Sequence, residues 1–310
     1  MKLELVEVQK LEGHTECVWN VAWNPAAAGV LASCSADKTV RIWEQSSLSR
    51  SSFGRHAHRT VKSCAWSPSG KLLATASFDG KTCVWENSAT DSECVSVTVL
   101  QVHESEVKSV SWNASGSLLA TCGRDKSVCI WEIQPEDECY CVAVLLGHSE
   151  DVKMVQWHPT MDLLFSCSYD NTIKVWWCED EYGDYNCVQT LSESKNGHSS
   201  TVWVISFNAA GDRMVTCRTH LCTLSGFHDR AIYSVHWSRD GIIGDDTIQL
   251  FVDSDSDSVV EPAYKLLLKK EKAHTTDINS VQWAPDKESR LLASASNDQT
   301  VKIWKLVSEP

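Results

Sequence analysis

Histidine and aspartate recur through this chain in an order that could place the two side chains next to each other. Histidines in similar surroundings are His14, His58, His103, His148, His198, His228 and His274. An aspartate follows most of them: Asp37, Asp79, Asp125, Asp170 and Asp298. A histidine beside a carboxylate can act as a general base, but an active site repeated along the whole chain is implausible. The sequence also has no GxSxG, HExxH or phosphate-loop motif, so we predict structural pairs and no enzyme activity.

Cysteine is the second residue type that could carry chemistry, as a ligand of a metal or an iron–sulfur cluster. The 14 cysteines include two sets at equivalent positions of successive repeats: Cys34, Cys122, Cys167 and Cys217, and Cys94, Cys141, Cys187 and Cys222. Equivalent positions belong to different repeats, so we expect small buried packing residues spread around the molecule. The pairs Cys139/Cys141 and Cys217/Cys222 lack the second half of a CxxC site. We predict no metal and no cofactor.

The spacing of the histidines indicates a repeat architecture. Successive intervals are 44, 45, 45, 50, 30 and 46 residues, where a WD40 unit has roughly 40–45. An aromatic residue follows each histidine at nearly constant distance: Trp23, Trp66, Trp112, Trp157, Phe207, Trp237 and Trp283. Four short β-branched segments per interval read as strands a to d of one blade. The sequence therefore predicts an all-β, seven-repeat WD40 β-propeller, with residues 1–310 forming a single domain.

Three features qualify this prediction. The last repeat ends with its third strand, so we expect Leu3–Leu11 to supply the fourth and close the ring. Repeat 5 continues from strand b (Arg213–Cys217) directly to Leu221–Ser225, which reads as strand d, so we predict an incomplete blade 5. Repeat 6 is clipped at Gly241–Gly244. Compared with a regular propeller, about 15 to 30 residues are missing.

A set of polar residues that recurs in each blade is also predicted to have a structural role. The histidine, a serine or threonine of strand b, the turn aspartate and the strand-c tryptophan can form one hydrogen-bonded set, which satisfies buried polar groups. In the third strand the tryptophans are Trp43, Trp85, Trp131, Trp176 and Trp304, with Phe251 in the same role.

Two positions of the repeat are predicted to point to one face of the propeller. The entrance of strand a carries Trp19, Lys62, Lys108, Lys153, Trp203 and Tyr233, and the position before the turn aspartate carries Phe78, Arg124 and Tyr169. One interpretation is ordinary solvated charge with chance aromatics. The other is a protein-docking site with a basic half and an aromatic half, weakened by Glu106 and Asp151 nearby.

Composition restricts the partners and the location. The net charge is -13, which argues against non-specific nucleic-acid binding. No apolar run is long enough to span a membrane, and the N-terminus lacks the features of a signal peptide. We expect protein partners, no nucleic acid, no membrane, and a location in the cytoplasm and also the nucleus.

Four stretches are more specific than the repeat itself: 74–80, 122–128, 147–153 and 224–233. They resemble the WD40 subunit of the cytosolic iron–sulfur protein assembly (CIA) targeting complex, particularly its plant members. The resemblance covers nearly the whole chain. It implies an adaptor, a monomeric subunit of a hetero-complex, that helps to deliver clusters to cytosolic and nuclear apoproteins without holding a cluster itself. It also implies a functional role for Arg124 and a complete blade 5, from which this chain departs.

A second function remains open from the residues alone. A generic WD40 scaffold, such as a ubiquitin-ligase substrate receptor or a chromatin adaptor, predicts the same fold and the same face. It predicts no association with iron–sulfur maturation factors.

Overall fold

The structure of the chain is a computed structural model. It describes residues 3–44, 50–53, 57–86, 95–134, 138–179, 184–195, 198–216, 232–237, 247–253, 264–286 and 288–308.

Almost all regular structure in the described part is β-strand. The first strands are β1 (Leu3–Leu11), β2 (Val18–Trp23), β3 (Val30–Ser35), β4 (Val40–Glu44), β5 (Arg50–Phe53), β6 (Val61–Trp66), β7 (Leu72–Ser77), β8 (Thr82–Glu86), β9 (Val95–Leu100), β10 (Val107–Trp112), β11 (Leu118–Gly123) and β12 (Val128–Ile133). They are followed by β13 (Cys139–Leu145), β14 (Val152–Trp157), β15 (Leu164–Ser168), β16 (Ile173–Cys178), β17 (Tyr185–Leu191), β18 (Ile205–Phe207), β19 (Met214–Thr216), β20 (Ile248–Asp253), β21 (Tyr264–Lys270), β22 (Ile278–Trp283), β23 (Leu291–Ser296) and β24 (Val301–Ser308). A single 3-10 turn, Glu193–Lys195, lies among the described residues. No helix in this part is long and apolar enough to cross a membrane.

The strands form the blades of a β-propeller, as the repeat predicts. Within the described residues there are five antiparallel four-stranded sheets and two two-stranded ones. The innermost strands are neighbours around the ring, with β2 in contact with both β6 and β22, and β10 with β6 and β14. Second strands such as β3, β7, β11 and β23 are buried at nearly every residue. Blades cover both faces of these strands, which is why their sequences are rich in Ala, Ser, Thr and Cys.

The first strand of the chain closes the ring. β1 pairs antiparallel with β24 from Leu3–Ser308 to Leu11–Val301, giving the sheet order β1-β24-β23-β22. Leu5 is fully buried, in a cluster with Ile248, Trp304 and Leu306. The predicted strand bounds and the predicted closure are both confirmed.

A four-residue network ties the edges of most blades together. In blade 3, His103 Nδ1 lies 2.8 Å from Asp125 Oδ2 and His103 Nε2 lies 2.9 Å from Thr121 Oγ1, which also accepts from Trp131 Nε1 at 3.0 Å. Blades 1, 4 and 7 repeat this geometry around His14, His148 and His274, with all four histidines buried. The predicted structural role of the pairs is confirmed there.

Blade 2 corrects the prediction for one histidine. His58 is exposed, and its backbone N–H, not its ring, reaches Asp79 Oδ2 at 2.9 Å. The residue after the histidine makes the same backbone contact in blade 1, where Thr15 N donates to Asp37. Ala57 therefore holds the histidine position of blade 2, which explains why Trp66 comes one residue early.

The irregular blades are described only in part. In blade 5, β18 pairs with β19 through three residues each, and in blade 6 β20 pairs with β21. Phe251 on β20 is buried, as expected for a residue in the strand-c tryptophan position. Leu221–Ser225, Gly241–Gly244, His228, Cys94, Cys217 and Cys222 lie outside the described residues, so the incompleteness of blade 5 and the clipping of blade 6 stay predictions.

Candidate docking site at the channel mouth

One irregularity of the backbone positions the candidate site. The innermost strand of each complete blade has a register shift after its first residue, between Val18 and Asn20 in β2, for example. Each of the five complete blades has one residue inside this shift: Trp19, Lys62, Lys108, Lys153 and Asn279. A β-bulge redirects a side chain away from the alternation of its strand. All five side chains line the central channel, a cavity of about 1840 Å³.

The bulge lysines stack against aromatic rings. Lys62 Nζ lies 3.3 Å from the centre of the Trp19 ring. Lys153 Nζ lies 3.4 Å from the Tyr169 ring centre and 4.6 Å from that of Trp203. These rings attract a cation through their electron-rich faces. The predicted basic and aromatic halves are therefore interleaved, not separate.

The aromatic residues form a continuous row beside the lysines. The Tyr169 and Trp203 ring centres are 5.4 Å apart, and those of Trp203 and Tyr233 are 5.9 Å apart, both edge to face. Tyr169 and Tyr233 remain 39% and 38% exposed. Exposed, rigid aromatic groups beside cations are typical of interface anchors.

The electrostatic environment lowers the basicity of two of the lysines. Burial, followed by the nearby Lys108 ammonium, lowers the pKa of Lys153 to about 7. Burial is also the main cause that lowers the pKa of Lys62 to about 7. Lys108 forms a close ion pair with Asp151. The mouth therefore holds two amino groups that gain or lose a proton near neutral pH.

Arg124 lies on the rim of the mouth and is paired. Its Nη1 is 3.4 Å from Glu106 Oε2, and the Arg59 Nη2 is 3.3 Å from Glu106 Oε1. Both arginine side chains are 59% exposed. Arg59 also donates to the backbone oxygen of Phe78, which itself lines the channel. Sequence reasoning missed Arg59, although it follows the exposed His58 in the same loop.

The structure thus brings most of the predicted site residues together around one opening. Lys62 and Trp19 form one contact, and Lys108, Lys153, Tyr169, Trp203 and Tyr233 form a second cluster. Arg124 and Phe78 stand with Arg59 and Glu106 at the rim. Asn279, which the site prediction left out, is held by hydrogen bonds to Asn297 Oδ1 and Val18 O at 2.7 and 2.9 Å.

The described cysteines are distributed around the ring. Cys34, Cys83 and Cys167 are buried in blades 1, 2 and 4, and Cys122 and Cys129 are both buried in blade 3, as predicted for packing residues. Cys141 and Cys187 are exposed, which corrects the prediction for their position, since the outermost strands β13 and β17 have no neighbour on one side. Among the described residues no group of three or more His, Cys, Asp or Glu could hold a metal ion.

Comparison with known proteins places the chain among WD40-repeat proteins. The profile of the WD domain, G-beta repeat family matches residues 5–44, 49–86, 94–132, 139–176 and 265–305, together more than half of the chain. The chain is 63% identical to "Protein CIA1" of Arabidopsis thaliana over 348 positions, covering 99% of this chain and 98% of the relative.

Two mosquito proteins extend this likeness beyond plants. The "Probable cytosolic iron-sulfur protein assembly protein Ciao1" of Culex quinquefasciatus is 44% identical, with 97% of this chain and 98% of the relative covered. The protein of the same name in Aedes aegypti is 39% identical, with 99% of both chains covered. The alignments with the Arabidopsis and Culex proteins span 348 and 340 positions, more than the 310 residues of this chain, so both contain positions that it lacks.

High identity over nearly the full length, the matched repeats and the propeller fold agree. They confirm the resemblance to a plant-like member that four short stretches had suggested. The chain belongs to the WD40-repeat family, and within it to the group of cytosolic iron–sulfur protein assembly proteins that includes Protein CIA1 of Arabidopsis.

Proposed function

We propose that this chain is a non-enzymatic WD40 adaptor of cytosolic iron–sulfur protein assembly, which helps to deliver clusters to apoproteins in the cytosol and the nucleus. The observation that carries the proposal is 63% identity to Protein CIA1 over 99% of this chain. Residues 1–310 would act as one domain and as a monomeric subunit of a hetero-complex. The chain itself would bind proteins and not the cluster.

The channel mouth and its rim are the surface that we assign to partner binding. It combines exposed aromatic groups with cations on a chain whose net charge is -13. A local basic site on an acidic protein attracts acidic groups while repelling other basic surfaces. Arg124, at the rim, can offer its planar guanidinium to a partner carboxylate through two parallel hydrogen bonds.

Replacement of Arg124 tests this surface. Arg124→Glu removes the guanidinium and places a second carboxylate beside Glu106, so we expect recovery of assembly partners and client apoproteins in pull-down to be lost. Arg124→Lys should bind weakly, because an ammonium cannot form the planar pair. An exposed substitution of this kind changes the free energy of unfolding by about 0.5 kcal/mol or less, which circular dichroism during thermal unfolding checks.

Lys71→Glu is the matched control. Lys71 is exposed in the turn that joins β6 to β7, away from the β6 entrance where Lys62 lies, and the charge change is the same. We expect normal recovery with this variant. If Arg124→Glu recovers partners and clients as well as Lys71→Glu does, the rim is not the docking site.

Affinity purification separates the adaptor from a generic scaffold. Iron–sulfur maturation factors should copurify with the tagged chain. Recovery of ubiquitin-ligase or chromatin components in their place would favour the generic function.

A further inference from the structure

Three consecutive blades direct an ammonium group into the same opening. Lys62, Lys108 and Lys153 occupy the bulge of β6, β10 and β14, and all three line the channel. Lys108 and Lys153 both approach the Tyr169 ring, with Nζ 5.6 and 3.4 Å from its centre. Burial is the main cause of the lowered pKa of Lys62 and Lys153, and repulsion from Lys108 adds to it, so the three groups interact across the mouth.

Carboxylates in the described structure neutralise this cluster incompletely. Asp151 pairs with Lys108, and Glu106 pairs with Arg59 and Arg124 on the rim. Among the described residues, Lys62 and Lys153 form no ion pair. The amino groups of Lys62 and Lys153 instead face aromatic rings, and the Asp151 carboxylate acts on Lys153 through its charge.

At the channel mouth, hydrogen-bond donors also outnumber the acceptors that they contact. An ammonium carries three N–H donors and no acceptor, and a ring face is a weak substitute for an oxygen. The indole Nε1 of Trp19 is buried and has no hydrogen-bond partner in the described part of the chain. Trp19 lines the same channel and contacts Lys62. In the described part of the chain, Lys62, Lys153 and the Trp19 indole therefore have hydrogen-bond donors available to a ligand.

We propose that Lys62, Lys108 and Lys153 bind a phosphate dianion at the channel mouth, either as the free ion or as the phosphoryl group of a modified side chain. A phosphoryl group carries about -1.5 to -2 charges near neutral pH, and so much negative charge favours the ammonium form of both Lys62 and Lys153. Its tetrahedral oxygens can accept from three directions at once. A carboxylate has one charge and a planar shape that suits the guanidinium of Arg124 better.

This inference deepens the proposed docking role of the mouth, but its test needs no partner protein. The purified full-length chain is titrated by calorimetry near neutral pH, in a buffer without phosphate, with inorganic phosphate, N-acetyl-phosphoserine amide and N-acetyl-glutamate amide. Tryptophan fluorescence provides a second readout, because an anion that draws the ammonium groups away from Trp19 and Trp203 changes their emission.

We expect both phosphate probes to bind. The glutamate amide should bind at least about tenfold more weakly, because it has fewer acceptor oxygens and the loss of one hydrogen bond to a charged group corresponds to about tenfold in affinity or more. The double substitution Lys62→Gln/Lys153→Gln should weaken phosphate binding by at least about tenfold, for the same reason. Lys71→Gln, the control outside the mouth, should leave it unchanged. Tighter binding of phosphoserine amide than of inorganic phosphate identifies a modified side chain as the ligand, and the reverse order identifies the free ion.

Three results would overturn the proposal: no phosphate binding by the wild-type chain, equal affinity of the double variant, or equal affinity for the glutamate probe. Should the double variant fail to fold in circular dichroism, the single variants Lys62→Gln and Lys153→Gln are measured instead. If this proposal is wrong, the proposed adaptor function is not affected, because affinity purification of the tagged chain tests that function separately.

Discussion

At the scale of single residues, two sets of polar groups have different roles. The buried network of His103, Asp125, Thr121 and Trp131 satisfies its own members and offers nothing to a ligand. The bulge lysines at the channel mouth have donors left over. Hydrogen-bond satisfaction, more than residue type, separates a structural cluster from a candidate binding site.

The pKa of Asp125 leads to a prediction for acid stability. Burial opposes its ionisation, but hydrogen bonds from His103 and Ser127 outweigh burial and lower its pKa to about 2 from 3.8. A carboxyl group with a lowered folded-state pKa stabilises the protein above its unfolded pKa, and that contribution is lost as the pH falls. We therefore expect the free energy of unfolding to decrease from about pH 4 to pH 2, as measured by denaturant unfolding.

Asp125→Ala should cost about 3 kcal/mol near neutral pH, because it removes charged hydrogen bonds and leaves a buried histidine unsatisfied. In this variant the free energy of unfolding should also decrease less between about pH 4 and pH 2. Asp79→Ala is the matched control, since Ala57 replaces the histidine in blade 2 and Asp79 accepts only backbone N–H groups in the described structure. Equal costs for the two variants would show that the histidine contact adds nothing.

At the scale of elements, the bulge of each innermost strand directs one side chain of an otherwise buried strand into the channel. In β10, Val107, Ser109 and Val110 are buried, while Lys108, inside the bulge, lines the channel. A regular strand would alternate its side chains between the two faces of the blade. The same bulge recurs in β2, β6, β14 and β22, so the repeat delivers one side chain per blade to the mouth.

Closure by β1 gives a testable contribution to stability. Leu5 is fully buried between β24 and the residues of blade 6, while its neighbour Val6 is 38% exposed on the other face of the strand. Leu5→Ala should lower the free energy of unfolding by about 2–5 kcal/mol through lost burial and the cavity left behind. Val6→Ala should cost less than about 1 kcal/mol. Similar costs in denaturant unfolding would mean that β1 does not close the core.

At the scale of the whole molecule, the ring separates groups that are equivalent in the repeat. Cys34, Cys122 and Cys167 hold one repeat position but are buried in blades 1, 3 and 4. Cluster ligation needs several thiolates around one centre, whereas these three thiols are divided among three blades. The same geometry has the opposite effect on the bulge residues, because the innermost strands converge on the channel.

This distribution predicts that the purified protein carries no iron–sulfur cluster. Iron and acid-labile sulfide, measured on protein purified without oxygen, should both be far below one per chain. Values near one per chain for both would contradict the prediction and would point to cysteines such as Cys217 and Cys222, which lie outside the described residues.

The sequence by itself determined the repeat, the closing strand and the composition of the mouth. Leu3–Leu11 is a strand with the predicted bounds, because alternating apolar residues and a missing fourth strand are local signals. The position at the entrance of strand a was found from its constant distance to the histidine of each repeat. In blade 2 the histidine was assigned wrongly, to the exposed His58 where Ala57 holds the position, because an exposed and a buried histidine look alike in sequence.

Only the tertiary structure decided how the site residues meet. The sequence predicted a basic half and an aromatic half, but the structure places Lys62 on Trp19 and Lys153 between Tyr169 and Trp203. It also pairs Arg124 and Arg59 with one carboxylate, Glu106. Three of these contacts, Trp19–Lys62, Lys153–Trp203 and Arg59–Glu106, join residues of neighbouring blades that are more than 40 positions apart. Their geometry depends on the rotation between blades and on the bulges, which local sequence patterns do not encode.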